Sequence, residues 1–291
     1  MRVCSLNARS VCNKTTNILE LLADQNIDVL ALTETWIKEG DITTVSQLTS
    51  GDYLFLHKSR PGRAGGGVGV LYRSGMRIHT TPSTVAGSSF EHIVVDVDCY
   101  DKRFLLMVVY RAPNVAINTF LSDFSQVIEQ FMSKSSDFVI VGDFNIQMDQ
   151  PQAHDTMCFI NFLESCNLIQ HVVSPTHIKG HVLDLVITRS SMDIIKSVDV
   201  FDPAISDHSL ITCSLEISKP VRPQRSVAFR RIKNIDSEHF RRDIHCSALS
   251  KYVDETSLPD PNVSAAIYSS ELSLDLDKHA PFQSKIRSNG P

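Results

Sequence analysis

A strand–helix–strand pattern at the start of the chain constrains its fold more than any other feature. The segment "RVCSL" (residues 2–6) is apolar and short enough to be a buried strand, and "IDVLALTE" (27–34) has the same character. Between them, Ile18, Leu21 and Leu22 recur at the spacing of one helix face. Strands that alternate with helices in this way predict an α/β fold.

The alternation continues through the first 217 residues, with more strands than helices. The clearest helix is predicted over residues 117–131, where seven apolar residues lie on one face, and a second over "HDTMCFINFLESC". The predicted strands are "DYLFLH", "GGVGVLYR", "EHIVVDVDC", "RFLLMVVYR", "DFVIVGDFN", "VLDLVIT", "IIKSVDV" and "SLITCSL". Mixed strands with helices between them predict two packed sheets flanked by helices.

The composition changes after "EISKPVRPQRS", and a domain boundary is predicted near residue 218. The formal net charge is −5, but residues 1–217 carry 16 basic against 24 acidic side chains, whereas residues 218–291 carry 12 against 9. This acidic balance argues against a protein that coats nucleic acid, because phosphate binding draws on a basic surface. The basic second segment is suited to binding nucleic acid or to serving as a solvated connector, and we favour the connector.

The cysteine pattern and the N-terminal sequence limit the possible cellular locations of the protein. The seven cysteines are scattered, without a CxxC pair or a Cys/His group at zinc spacing. Reduced thiols are the simplest interpretation, so neither a disulfide nor a structural zinc is expected. The opening "MRVCSLNARSV" lacks the apolar core of a signal peptide, and no run reaches the roughly 18 apolar residues that span a bilayer. We expect a nuclear or cytoplasmic protein that is not secreted and has no membrane partner.

Polar side chains gather where the predicted strands end. They are Asn7, Glu34, Tyr110, Asp143 and Asn145, with Asp207 and His208 directly before the last strand. Asp184 is the exception, because it lies inside "HVLDLVIT". A buried carboxylate needs a partner, and histidine is a suitable one. We therefore predict that Asp184 accepts a hydrogen bond from one ring nitrogen of His208, which leaves the other to face a substrate, while Asp207 points at a metal or a water.

Each of these residues also has an ordinary structural explanation. Asn7 and Glu34 suit a strand-end turn or loop, and Tyr110 suits a core position with its hydroxyl at the surface. The "GDFN" segment has the composition of a turn, and "SDH" suits a helix or strand cap. For a single residue these explanations are at least as good as catalysis. The residues favour a common site only together, because they follow in order and each stands at a strand end.

Six segments resemble, in order, the motifs of the endonuclease/exonuclease/phosphatase superfamily. They are "SLNARSV", "ALTETW", "VVYRAPN", "VIVGDFN", "HVLDLVIT" and "ISDHSLI". The sequences of these segments are most similar to those of the endonuclease domain of non-LTR (LINE-type) retrotransposons, and the resemblance covers residues 1–217. Residues 218–291 are similar to the connector that precedes the reverse transcriptase in such elements, and are expected to be partly helical or disordered. No polymerase-type "[FY]xDD" follows in this chain.

The resemblance implies a DNase I-like four-layer α/β sandwich and an endonuclease that hydrolyses DNA phosphodiester bonds. The expected cofactor is Mg²⁺, with Mn²⁺ as the alternative, and the nick would leave a 3′-hydroxyl primer for retrotransposition. Carried over by motif, the metal ligands would be Glu34, Asn7 and Asp207. Asp143 and Asn145 would orient or deprotonate the attacking water, Tyr110 would contact the phosphate, and the Asp184–His208 pair would stabilise charge on the phosphoryl oxygens. Either Asp143 or His208 is the general base.

Substrate contacts and alternative functions complete the expectations. The residues assigned to DNA contact are Arg9, Tyr110, Asn145, His57 and Arg60, although a solvated loop is the simpler interpretation of the last two. His177 is expected at a surface or turn position, and "RAGGGVGVLYR" is a tight turn rather than a P-loop because no Lys-Ser/Thr follows. The partners would be DNA and a reverse transcriptase, and the protein is expected to be a monomer. A phosphatase for small phosphoesters, or an inert fragment that binds nucleic acid or protein, stays the alternative.

Overall fold

The computed structural model describes residues 1–49, 51–82, 89–99, 102–133, 137–217, 225–252 and 260–287. The chain divides into two compact units, Met1–Pro220 and Val221–Pro291. Within the ranges given, no helix combines the length and apolar character needed to cross a membrane.

The secondary structure alternates as the sequence predicts. The strands are β1 (Arg2–Asn7), β2 (Val29–Thr33), β3 (Tyr53–Lys58), β4 (Val68–Arg73), β5 (Arg77–Thr80), β6 (Glu91–Cys99), β7 (Lys102–Tyr110), β8 (Phe138–Asp143), β9 (Leu168–Gln170), β10 (Asp184–Arg189), β11 (Ile195–Phe201), β12 (Leu210–Leu215), β13 (Arg225–Phe229) and β14 (Gln283–Arg287). The α-helices are α1 (Thr15–Asp24), α2 (Ile42–Leu48), α3 (Ile117–Met132), α4 (His154–Ser165), α5 (Ser237–Cys246) and α6 (Pro261–His279), and short 3₁₀ turns cover Ile232–Asn234 and Ala248–Tyr252.

Two six-stranded mixed sheets form the first unit. One has the strand order β11-β12-β1-β2-β4-β3, and the other β5-β6-β7-β8-β10-β9. In the first sheet β1 and β2 are parallel and β12 is antiparallel to β1; in the second, β7 and β8 are parallel and β10 is antiparallel to β8. Parallel strands end at the same edge of a sheet, and an antiparallel neighbour begins there. Each sheet therefore gathers two strand ends and one strand start at one edge.

The core explains why helices cover both sheets. Central strands such as β2 and β8 are buried along their whole length, as expected where a sheet is covered on both faces. The apolar stripe of α3 packs its phenylalanines against Phe144 and against Phe159 of α4. On the first sheet, Ile18 and Leu22 of α1 are buried with Leu6 and Leu30. The prediction of two mixed sheets flanked by helices is confirmed.

Three short elements of the first unit were not expected from the sequence, and the start of one strand changes the placement of a candidate residue. These elements are α2, β5 and β9, which have only seven, four and three residues and are too short to show a clear periodicity in the sequence. In addition, β10 begins at Asp184 rather than enclosing it. Asp184 is therefore a strand-end residue like the other candidates.

The second unit contains a two-stranded antiparallel sheet of β13 and β14 together with α5 and α6. The Arg230 guanidinium lies 3.7 Å from the centre of the Phe282 ring and donates to the Ala280 carbonyl oxygen at 2.8 Å. The Asp243 carboxylate of α5 binds Lys278 and His279 of α6, each at 2.6 Å. Cation–π and ionic contacts thus contribute to this unit, because few of its described side chains are buried.

Candidate active site

The predicted site residues converge where the strands end. Tyr110 and Asp143 are the last residues of β7 and β8 and lie directly opposite each other, and Asp184, the first residue of β10, lies opposite Asp143 on its other side. On the first sheet, Asn7 ends β1 and is opposite Thr33, the residue before Glu34. The sheet topology therefore brings together polar residues that are far apart in the sequence.

Asn7 links the two sheets by its side-chain amide. Its Nδ2 donates to Glu34 Oε1 at 3.0 Å and to Asp143 Oδ2 at 2.8 Å. Asn7 is completely buried, so its bond to Asp143 is made out of contact with bulk water, whereas Glu34 is partly exposed. The amide thereby fixes the Glu34 carboxylate relative to the Asp143 carboxylate.

Asp143 is held by the loop that follows its strand. It accepts hydrogen bonds from the backbone N–H of Asn145 at 2.9 Å and from Asn145 Nδ2 at 3.1 Å. Burial, and then the negative charge of Asp184, raise the pKa of Asp143 far above its usual value. The preceding Gly142 has φ +134°, and a Cβ there would lie 2.0 Å from the Val109 carbonyl oxygen. Only glycine allows β8 to approach β7 this closely.

The predicted Asp184–His208 hydrogen bond is present. His208 Nδ1 and Asp184 Oδ2 are 2.7 Å apart, and both side chains are buried. Burial alone lowers the pKa of His208, but the hydrogen bond and the charge of Asp184 outweigh it and raise the pKa to about 9. His208 therefore carries a proton on each ring nitrogen at neutral pH and acts as a donor.

Thr176 positions Asp184 and was not predicted from the sequence. Its Oγ1 accepts from the backbone N–H groups of Leu183 and Asp184, both at 3.0 Å. Its carbonyl oxygen accepts from the N–H of Ser209 at 2.8 Å. Thr176 therefore ties the start of β10 to the segment that carries His208.

His177 extends the site beyond the predicted set, through its contact with the predicted metal ligand Asp207. Asp207 Oδ2 pairs with Arg9 Nη1 and lies 3.3 Å from His177 Nε2. The His177 ring also meets the edge of His208, with 4.7 Å between ring centres. His177 begins the turn that ends at Gly180, as expected for a turn position, but its ring packs against Asp207 and His208 instead of lying free at the surface. No sequence pattern indicates this contact, because it depends on an isolated backbone bridge between His177 and His208 that forms only in the tertiary structure.

Arg111 is a second residue that the sequence analysis left without a role. Its guanidinium is buried and donates to the carbonyl oxygens of Phe144 at 3.1 Å and of Asn145 at 3.0 Å, as well as to that of Val115. These bonds hold the loop after β8 in place. Its position directly after Tyr110 in "VVYRAPN" was the available signal.

Tyr110 and the two predicted basic contacts lie beside this cluster. Burial, and then the charges of Glu34 and Asp143, raise the pKa of Tyr110, whose hydroxyl also hydrogen-bonds to Glu34. Arg60 pairs with Glu91 and lies 5.6 Å above the Tyr110 ring. His57 is half-buried and stacks on Phe55, with 5.3 Å between ring centres. The observed contacts of Arg60 and His57 are internal, and DNA contact by either stays a prediction.

The donor atoms of the site suit a hard divalent cation. Among the residues that the structure describes, two groups of three bring ligand atoms within 4.8 Å of one another: His177, Asp207 and His208, and Asp143, Asp184 and His208. The histidines are poor ligands here, because His208 is protonated and His177 Nδ1 accepts the Lys179 N–H at 3.2 Å, which leaves the proton on Nε2. Carboxylates remain, and Asp207 Oδ1 is buried without a partner among the described residues. Oxygen ligands of this kind match Mg²⁺ or Mn²⁺ rather than zinc.

Left-handed backbone is concentrated at the site. Within the described part of the chain, seven residues other than glycine have positive φ, and five of them lie here: Arg9 (42°), Ser10 (82°), Glu34 (51°), Trp36 (57°) and Asn145 (49°). Such conformations cost free energy and persist where surrounding contacts enforce them. The concentration of strain at one edge is typical of a functional site.

Comparison with known proteins agrees with this geometry. The model of the Endonuclease/Exonuclease/phosphatase family matches residues 3–208. The endonuclease domain of TRAS1, a telomere-specific non-LTR retrotransposon, is 14% identical, with a TM-score of 0.60 over 75% of this chain and 99% of that one. The 3′-5′ exonuclease NExo from Neisseria meningitidis is 18% identical, with a TM-score of 0.62 over 75% and 100%. The apurinic-site endonuclease LMAP from Leishmania major is 13% identical, with a TM-score of 0.61 over 73% and 86%. No curated protein matches the chain.

Proposed function

This chain belongs to the endonuclease/exonuclease/phosphatase family, and we propose that it is a metal-dependent endonuclease that nicks DNA. The observation that carries the proposal is the buried network in which Asn7 joins the Glu34 and Asp143 carboxylates beside the Asp184–His208 pair. Phosphodiester hydrolysis needs a cation site, a proton acceptor and a donor to the phosphoryl oxygens within reach of one phosphate. This network offers a candidate residue for each of these roles, which supports the proposal.

The metal would be held by Glu34 and Asp207, with Asn7 orienting Glu34. When bound, a divalent cation would supply electrostatic stabilisation of the charge that develops on the phosphate and the leaving oxygen. The acidic and amide oxygens of these residues support Mg²⁺, and Mn²⁺ is the alternative.

The remaining residues divide the proton transfers. We assign Asp143 as the base that takes a proton from the attacking water, with Asn145 orienting that water. His208, held by Asp184, would donate its Nε2–H to a phosphoryl oxygen, and Tyr110 would donate its hydroxyl to the phosphate in place of its bond to Glu34. The Asp184 hydrogen bond favours the donor role for His208, because a ring that already holds both protons cannot accept another. Water attacks phosphorus, the bond from phosphorus to the 3′ oxygen breaks, and that oxygen takes a proton from a solvent water to leave as a 3′-hydroxyl.

The retrotransposon assignment adds a biological use for that product. The motifs of residues 1–217 and the likeness to the TRAS1 domain support a role in which the 3′-hydroxyl primes a linked reverse transcriptase. Residues 218–291 would then be a connector to that enzyme, and we expect Arg241→Gln together with Arg242→Gln to leave DNA affinity unchanged. A clear loss of affinity in this double variant would instead assign DNA binding to the second unit.

Plasmid nicking tests the proposed activity. Supercoiled plasmid is incubated with Mg²⁺ or EDTA and with the wild type, Asp143→Asn or His208→Ala; the surface changes Asp199→Asn and His79→Ala are matched controls. We expect metal-dependent nicking in the wild type and both controls, and a loss of about 100-fold or more in the two site variants. Extension of the nick by a polymerase tests for the 3′-hydroxyl. A well-folded wild type that leaves plasmid intact but hydrolyses p-nitrophenyl phosphate would replace the endonuclease with the phosphatase, which the 3′ phosphatase activity named for one NExo structure makes a specific alternative.

A further inference from the structure

Trp36, the only tryptophan of the chain, is bonded to a candidate metal ligand. Its indole Nε1–H donates to Glu34 Oε2 at 3.1 Å, while the other carboxylate oxygen accepts from Asn7 at 3.0 Å. Both oxygens of Glu34 are therefore held by N–H donors from opposite sides. An N–H bond to a carboxylate is among the stronger hydrogen bonds, and such outer partners orient a metal ligand.

The backbone of Trp36 is fixed by the triple glycine that the sequence analysis interpreted as a tight turn. The Trp36 N–H donates to the Gly66 carbonyl oxygen at 2.8 Å, and the Thr35 N–H donates to that of Gly67 at 3.2 Å. A Cβ on Gly67 would lie 2.4 Å from Thr35 Oγ1, so the close approach requires glycine. These bonds hold Trp36 at φ 57°, which is unfavourable for a bulky residue.

The indole ring is nevertheless exposed. Trp36 has 43% of its surface accessible, although its backbone and its N–H are both engaged. A rigid aromatic face beside a candidate phosphate site is suited to stacking on a nucleic-acid base, which is sequence-tolerant because every base has a π face. A bound ligand would bury the exposed face of the ring, and the free energy gained would offset the cost of the strained Trp36 backbone.

We propose that Trp36 positions Glu34 through its indole N–H and that its exposed face stacks on the DNA next to the scissile phosphate. The inference rests on the proposed endonuclease function for the identity of the ligand. One side chain then connects substrate binding to the orientation of the metal ligand, and nicking depends on both.

Two substitutions separate the two roles. Trp36→Phe keeps an aromatic face but removes the N–H, whereas Trp36→Ala removes both; Leu54→Ala, at an equally exposed apolar position on β3, is the control. Mn²⁺ affinity is measured from the electron paramagnetic resonance signal of free Mn²⁺. DNA affinity is measured in EDTA by the anisotropy of a labelled duplex, so that cleavage cannot interfere. In the wild type, tryptophan emission is followed as the duplex is added.

The expected results are distinct for each variant. Trp36→Phe should bind Mn²⁺ about tenfold more weakly and DNA within about twofold of the wild type, whereas Trp36→Ala should lose about tenfold in both. Wild-type emission should be quenched by the duplex. Unchanged Mn²⁺ affinity in Trp36→Phe would overturn the positioning role, and unquenched emission with unchanged DNA affinity in Trp36→Ala would overturn the stacking role. If the wild type nicks plasmid while these affinities stay constant, only this inference fails; if the affinities shift but no nicking occurs, only the proposed function fails.

Discussion

Replacing Asp184 by asparagine tests the electrostatic logic of the site. The side chain keeps its shape but loses the charge that outweighs the burial of His208. In the wild type the His208 pKa is raised from 6.5 to about 9, which corresponds to roughly 3 kcal/mol in favour of the protonated ring. Without that charge, burial is opposed only by the weaker effects of Asp143 and Asp207, and we expect the His208 pKa to fall from about 9 towards 6.5.

The consequence is a shift of the pH–rate profile. If protonated His208 is needed, His208 is protonated in about nine-tenths of the wild-type protein at pH 8, whereas a pKa of 6.5 would leave it protonated in about 3% of Asp184→Asn, so we expect a loss of up to about 30-fold from this cause. At pH 5.5 His208 is protonated in both the wild type and Asp184→Asn, so the loss of rate from this cause is small. The acid limb of the pH–rate profile should also move to lower pH in Asp184→Asn, because the Asp184 charge raises the pKa of Asp143 in the wild type.

The assay is the initial rate of plasmid nicking across pH 5 to 10, with Asp199→Asn as the control for charge removal at the surface. Circular dichroism melting shows whether each variant is folded. The His208 ring is followed separately by NMR titration without metal. A folded Asp184→Asn whose alkaline limb and His208 titration match the wild type would refute the argument.

Three further predictions concern the fold itself. Burial lowers the pKa of His92 to about 4, so between pH 6.5 and 4 this residue binds a proton in the unfolded chain but not in the folded chain; the free energy of unfolding of the wild type should therefore fall by about 3 kcal/mol relative to that of His92→Phe over that window as pH is lowered, and parallel curves for the two proteins in urea unfolding would contradict it. Gly142→Ala should destabilise the protein by about 4 kcal/mol or more, because its Cβ meets the Val109 backbone; a melting temperature within a few degrees of the wild type would rule this out. A thiol reagent should label exposed Cys246 first and the buried Cys4 and Cys213 last, since burial raises their pKa to about 11 and about 12; rapid labelling of all the cysteines in the folded protein would show that these sites are open.

The sequence predicted the longer elements because their periodicity is local. The predicted helix at 117–131 is α3, and the predicted helix that starts at His154 is α4. Short elements were missed, since a three-residue strand such as β9 exists only through its pairing with β10. Length and periodicity carry the signal in the first case, and a distant partner carries it in the second.

The sequence also determined which polar residues stand at strand ends, and family resemblance gave each an expected role. It could not determine their partners. Asn7 and Asp143 are 136 positions apart and meet only because the two sheets pack with the edges that carry their strand ends on the same side. His177 joins Asp207 and His208, Arg60 turns inward to Glu91, and Trp36 bonds to Glu34 for the same kind of reason. The sequence gives the type of each side chain, whereas the neighbours of that side chain depend on the fold of the whole chain. The chemistry of the candidate site could therefore be predicted from the sequence, but its geometry followed only from the tertiary structure.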